Sequence, residues 1–292
     1  MSIAGFDNIY NHPSGYALVW LLICLVVFGS LEKLFPYERA KKKLRKDAYI
    51  DVIYWVVAPL LYSSTAWIML VAGFYLLFAG NMDAAWQFLN DGANWANKTP
   101  IWLQAIMVLI ISDFSLYWTH RLFHHAKLWK FHAVHHGAQQ MDFLTAARFH
   151  PINIIFHTLI ANSICLWIGF SPLSITMFAP LNTLYSCFVH SNLNLKFDGI
   201  LKYILVSPIY HRWHHTGPDE GGNMNFAATF PIFDLLFGTY FLPEDKLPGK
   251  TGIHEDYVPK TLLGQLIYPY TPEPKSKPKT LDIKRQAPNK YI

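Results

Sequence analysis

PIWLQAIMVLIISDFSLYWTHRLFHHAKLWKFHAVHH, residues 100–136, joins an apolar run directly to a histidine-rich one. The part up to Trp118 approaches the twenty or so mostly apolar residues that cross a bilayer as a helix. The part from His120 to His136 places six histidines in seventeen positions. The chain therefore passes from a membrane-compatible helix straight into a dense set of imidazoles, which bind metals well.

The remaining sequence suits that setting. Of 292 residues, 52% are apolar and 15% charged, against about a quarter charged in soluble domains. Further apolar runs occupy 16–31, 49–80 (interrupted by Pro59, a candidate kink), 152–170 and 172–189, the last two separated only by Ser171 and readable as a hairpin. The expected fold is all-α, a polytopic membrane protein with about four or five membrane helices. The first run lacks a basic flank and a small-residue cleavage site, so it reads as a retained anchor. Cys24, Cys165 and Cys187 lie inside apolar runs without CxxC spacing, which argues against a zinc knuckle and a disulfide framework. A net charge of +5 without basic residues interleaved among surface aromatics argues against nucleic acid as a partner.

Residues 32–47 hold seven Lys or Arg, whereas 81–99 hold one. By the positive-inside rule the first loop is cytoplasmic, and counting spans returns 119–150 and 190–292 to that same side. The histidines thus share one face, in a bacterial inner membrane or the endoplasmic reticulum. The tail 271–292 is rich in Pro and Lys and reads as a solvated basic segment or a contact for anionic headgroups.

Three boxes carry the chemistry: His120-x3-His124, His132-x2-His135-His136 and His211-x2-His214-His215. Helical spacings of three and four put each box on one face. On a straight helix His120 and His136 would stand about 24 Å apart, so a shared centre requires a break, expected within 126–130. Imidazole suits Fe, Zn, Cu and Ni, and eight or more histidines exceed what one zinc takes, so two metals fit better. No ExxH or HExxH motif occurs.

Asp113, seven residues before His120, is costly at membrane depth without a partner. It reads as an acceptor for the far N–H of a ligand imidazole, or as the partner of a Lys or Arg. His150 and His190 are candidates for the remaining ligands, with His190 preferred because the hairpin delivers it to the membrane surface. His125 fills no i, i+4 slot with His120, and His157, alone in an apolar run, reads as packed or hydrogen-bonded. His12 opens HPSG, but a haem domain does not fit around it.

These features resemble the fatty acid hydroxylase and sterol desaturase superfamily of membrane di-iron enzymes. The resemblance runs through DFSLYWTHRLFHH, KFHAVHH, ARFHP, HSN, HRWHH and NFAATFPIFDLLFGTY, roughly residues 100–242. It divides the chain into N-terminal membrane helices with the basic loop (1–99), a catalytic domain (100–242) and a C-terminal extension (243–292). It implies a helical membrane domain with a cytoplasmic, histidine-lined cap for two metals, in which His120, His124, His132, His135, His136, His190, His211, His214 and His215 are metal ligands. Family members often carry a further ligand shortly after the position of His190, where this chain has Asn194. They often read RxHPxE, where this chain has Asn153 in place of the acid.

The implied activity is O2-dependent hydroxylation of an unactivated C–H bond of a lipid by two iron ions. Sequence alone leaves desaturation at the same centre, a zinc-dependent membrane hydrolase and a non-catalytic metal-binding or transport protein as alternatives. A hydrolase would need a carboxylate base near the boxes, and Asp142 is the only acid between His120 and His190. No haem domain, G-x-G-x-x-G fingerprint or four-cysteine cluster motif is present. Electrons must then come from a separate reductase, cytochrome b5 or ferredoxin, or from a pterin.

Overall fold

The computed structural model describes residues 13–39, 45–217, 219–253 and 258–272. His12, the basic residues 40–44 and the tail from 273 onward lie outside the described residues. The main helices are α1 (Pro13–Leu34), α2 (Ala48–Phe78), α3 (Met82–Asp91), α4 (Ile101–Phe123), α5 (Trp129–His136), α6 (Pro151–Ile168), α7 (Pro172–His190), α8 (Pro208–His214), α9 (Ile232–Leu236) and α10 (Leu262–Ile267). Among the described residues extended pairing is limited to two isolated bridges, Pro36 with Leu193 and Thr216 with Thr251. The all-helical expectation holds.

Helix α4 packs on α6 and α7, and α2 packs on α1 and α6. Among the described residues α4 and α6 are long and apolar enough to cross a membrane. Along α4 the side chains of Trp102, Ile106, Ile110, Phe114, Trp118 and Leu122 are all exposed at intervals of four. Gln104, Val108, Asp113, Tyr117 and His120 on the same helix are buried. An apolar ridge of that length suits lipid far better than water. Helix α2 runs unbroken through Pro59.

Proline and its preceding residue set several starts. Pro151, Pro172 and Pro208 occupy first turns, where the missing N–H costs nothing. The residues before them, His150, Ser171 and Ser207, accept from Ile152, Ser174 and Tyr210 backbone N–H groups as caps. The hairpin between α6 and α7 turns at Gly169, with φ of 101°. A Cβ there would lie 2.6 Å from the Ala93 Cβ, so both the conformation and the space call for glycine.

The chain breaks between Phe123 and Trp129, where residues 124–128 form turns. This break brings α5 back beside the end of α4. It overlaps the expected 126–130, although Trp129 and Lys130 already belong to α5.

Candidate metal centre

The helix ends converge. His120 closes α4 and His124 caps it; α5 carries His132, His135 and His136; His190 ends α7; α8 carries His211 and His214, with His215 as its cap. All nine side chains are buried and fall into two groups able to hold metal ions. His120, His124, His132, His136 and His214 form one, and His135, His190, His211 and His215 the other; within each the ligand atoms lie within 4.8 Å of one another. The groups adjoin, since the rings of His136 and His215 stack at 4.4 Å.

Hydrogen bonds fix which nitrogen faces inward. His120 Nδ1 lies 2.8 Å from the Phe226 carbonyl and His214 Nδ1 lies 2.7 Å from that of Met224. His135 Nδ1 and His190 Nδ1 lie 3.1 and 2.7 Å from the carbonyls of Arg148 and Ser186. A carbonyl only accepts, so each Nδ1 carries the proton and each Nε2 is a bare lone pair. His132 Nδ1 donates in the same way to Asn153 Oδ1 at 2.7 Å.

In the five-histidine group every Nε2 is buried without a partner. In the four-histidine group Nε2 atoms meet directly: His190 lies 3.1 Å from His135 and 3.0 Å from His211, and His211 lies 3.1 Å from His215. For His135 and His190, whose Nδ1 protons are both taken by carbonyls, two bare lone pairs at that distance repel unless a cation sits between them. Metal–imidazole bonds of about 2.1 Å at right angles put neighbouring nitrogens about 3.0 Å apart. The donor set therefore fits metal in both groups.

Burial, reinforced by neighbouring imidazoles, holds His124, His132, His135, His136, His211, His214 and His215 well below the usual imidazole range. These are the neutral forms that a metal requires.

The segment 223–239 dresses the five-histidine group. Besides the carbonyls of Met224 and Phe226, Asn223 Oδ1 lies 3.4 Å from His124 Nδ1. Asp234 holds this segment from beneath, accepting from the N–H groups of Phe226 and Ala227 and from the hydroxyls of Tyr210 and Thr239, all at 2.7 to 2.9 Å. Asn225, at φ 62°, ties it to Tyr210 and Phe241.

Three residues read from the sequence stand elsewhere. Asp113 does not accept from a ligand imidazole: its oxygens accept the N–H groups of Thr229 and Phe230, each at 2.9 Å. It acts on the imidazoles only through the segment that carries Phe226. His150 belongs to neither group; it caps α6, with its Nε2 3.1 Å from the Leu266 carbonyl. Asn194 is exposed, and its backbone N–H bonds to Phe35. His125 is exposed in the turn, and His157 bonds to Thr119.

Sequence reasoning missed the residues behind the clustered histidines. Asn153 was visible only as a departure from RxHPxE, yet it holds His132. Arg148 pairs with Asp47 and Asp51, Arg45 with Asp47, Asp51 and Asp142, and this network, built on the buried Arg148 and Asp51, braces the carbonyl that His135 uses. Arg212, fully buried and in sequence between His211 and His214, pairs with Glu38 at 2.8 Å and lies 4.6 Å from the Tyr37 ring. Asp142 is thus engaged by Arg45, and neither group contains a carboxylate, which counts against a hydrolase base.

The sequence model of the fatty acid hydroxylase family matches residues 105–239. An ornithine lipid hydroxylase of Rhizobium tropici is 28% identical over 284 residues, covering 92% of this chain and 81% of that protein. An alkylglycerol monooxygenase of Danio rerio is 31% identical over 161 residues, 52% of this chain and 33% of that protein. A sphingolipid C4-hydroxylase of Schizosaccharomyces pombe is 25% identical over 242 residues, 80% of this chain and 72% of that protein. The chain thus spans most of the first and third relatives and about a third of the second. No solved structure matches.

Proposed function

Because residues 105–239 belong to the fatty acid hydroxylase superfamily, we propose that this chain is an integral-membrane di-iron enzyme that hydroxylates a lipid C–H bond with O2. The reaction is R–H + O2 + 2 electrons + 2 protons giving R–OH + H2O. The electrons come from a separate reductase, cytochrome b5 or ferredoxin, or from a pterin. In this reading two irons supply O2 reduction and C–H oxidation, one held by His120, His124, His132, His136 and His214, the other by His135, His190, His211 and His215.

The observation that carries the proposal is the convergence of nine buried imidazoles in two adjoining groups, with every Nε2 of one group without a partner and Nε2 atoms 3.0 to 3.1 Å apart in the other. The protein's part is to keep the imidazoles neutral by burial and to aim six of them, His120, His124, His132, His135, His190 and His214, through carbonyls and amide oxygens on the far nitrogen. The buried, all-imidazole lining keeps water from competing with the substrate. Hydroxylation is preferred to desaturation because the relatives named above are hydroxylases and a monooxygenase. Four or five membrane helices would set this centre at the cytoplasmic face, so that a lipid enters from the bilayer.

The test is oxygen uptake by purified, iron-loaded protein in lipid nanodiscs. The proposal expects uptake that requires both lipid and reductant, with a product heavier by one oxygen. Loss of two hydrogens would indicate desaturation, and no uptake with a stably bound single zinc would refute the oxidative reading.

A further inference from the structure

Beside the five-histidine group lies a polar pair that the proposed centre does not use, Thr119 on α4 and His157 on α6. Their contact is 2.6 Å, between the Thr119 hydroxyl and His157 Nδ1. The same hydroxyl oxygen lies 3.0 Å from the Ser115 carbonyl and 3.1 Å from that of Leu116. Carbonyls only accept, so the hydroxyl hydrogen is directed at the α4 backbone and the Thr119 oxygen must accept from the ring. His157 therefore carries its proton on Nδ1, and its Nε2 is an acceptor. No described hydrogen bond uses that nitrogen, and His157 is half-buried.

Its position is informative. His157 follows Asn153 by four residues, one turn along the same face of α6, and Asn153 holds His132 of the five-histidine group. The Phe123 ring touches both imidazoles, 5.3 Å from the centroid of His157 and 6.3 Å from that of His132. Helices α4 and α6 are the two long apolar ones, and in such surroundings an acceptor without a donor is unfavourable.

We propose that His157 Nε2 is a substrate subsite, accepting a hydrogen bond from a hydroxyl or amide N–H of the lipid and placing that group beside the five-histidine cluster. The proposal rests on the lipid-oxidation reading and narrows its substrate class to lipids whose polar donor lies close to the oxidised carbon. A lipid offering only ester or ether oxygens leaves Nε2 without a donor and sets two acceptors against each other.

The experiment measures equilibrium binding of radiolabelled 1-O-hexadecylglycerol and of its di-O-methyl ether to the iron-loaded full chain in phosphatidylcholine nanodiscs. The wild type should favour the diol by about tenfold, the worth of one hydrogen bond in apolar surroundings. In His157→Leu that ratio should fall to about one, while His157→Gln, whose amide oxygen still accepts, should keep part of it. N-hexadecanoylglycine against its N-methyl derivative asks the same of an amide donor. A wild type that prefers neither diol nor amide overturns the proposal, as does an undiminished preference in His157→Leu. Because binding is read without turnover, a protein that keeps the preference but never consumes O2 refutes the oxidation reading and leaves the subsite standing.

Discussion

Asn153→Ala isolates the role of a single acceptor behind a histidine of the proposed metal centre. Asn153 is fully buried, and its Oδ1 is the only described partner of His132 Nδ1, at 2.7 Å. Removing it strands a buried N–H, which costs about 1–3 kcal/mol, or roughly five- to 150-fold in an equilibrium constant. Losing the partner of a metal-bound imidazole typically weakens metal affinity about 10–100-fold, within the same range. The effect should fall on the five-histidine group, since His132 belongs to it and the four-histidine group keeps its own carbonyls. Chelator competition on the purified variant, followed by metal analysis, should show one metal lost well before the other. Asn194→Ala, exposed and outside both groups, should match the wild type. Wild-type retention of both metals in Asn153→Ala would refute the reasoning.

Asp113→Ala should strand the buried N–H groups of Thr229 and Phe230 and loosen the segment carrying Phe226; hydrogen exchange at 229 and 230 should accelerate by about tenfold or more, and unchanged exchange would contradict the assignment. The buried imidazoles titrate below their unfolded value of about 6.5, so the unfolded chain binds protons first and stability falls as pH drops through that value. The Tm of metal-free protein should therefore decline steadily below about pH 6.5, and a flat profile would count against a neutral buried cluster. Gly169→Ala should cost about 1–3 kcal/mol, read from the midpoint of denaturation, because it combines a positive φ with a clash against Ala93; a neutral result would mean that the hairpin yields freely.

The histidine grouping was legible because helical spacing is short-range: His132, His135 and His136 share a face whatever surrounds them. The break after Phe123 was legible too, because two boxes on a straight helix stand too far apart for one centre. What was not legible depends on contacts distant in sequence. Asp113 and Thr229 are 116 residues apart, and only the fold shows that the carboxylate meets backbone amides and not an imidazole. His150 has a ligand's chemistry and lies in a histidine-proline motif, yet the proline beside it makes it a helix cap. The sequence also does not say which box joins which: the second and third boxes each split between the two groups.

The most direct measurement of the central claim is metal stoichiometry and ligation, by elemental analysis and X-ray absorption, in the wild type and in His135→Ala. The account predicts about two irons per chain in nitrogen-dominated shells, falling to about one when His135 is removed from the four-histidine group, with lipid-dependent O2 uptake abolished. A single zinc per chain, unchanged in His135→Ala, would contradict it.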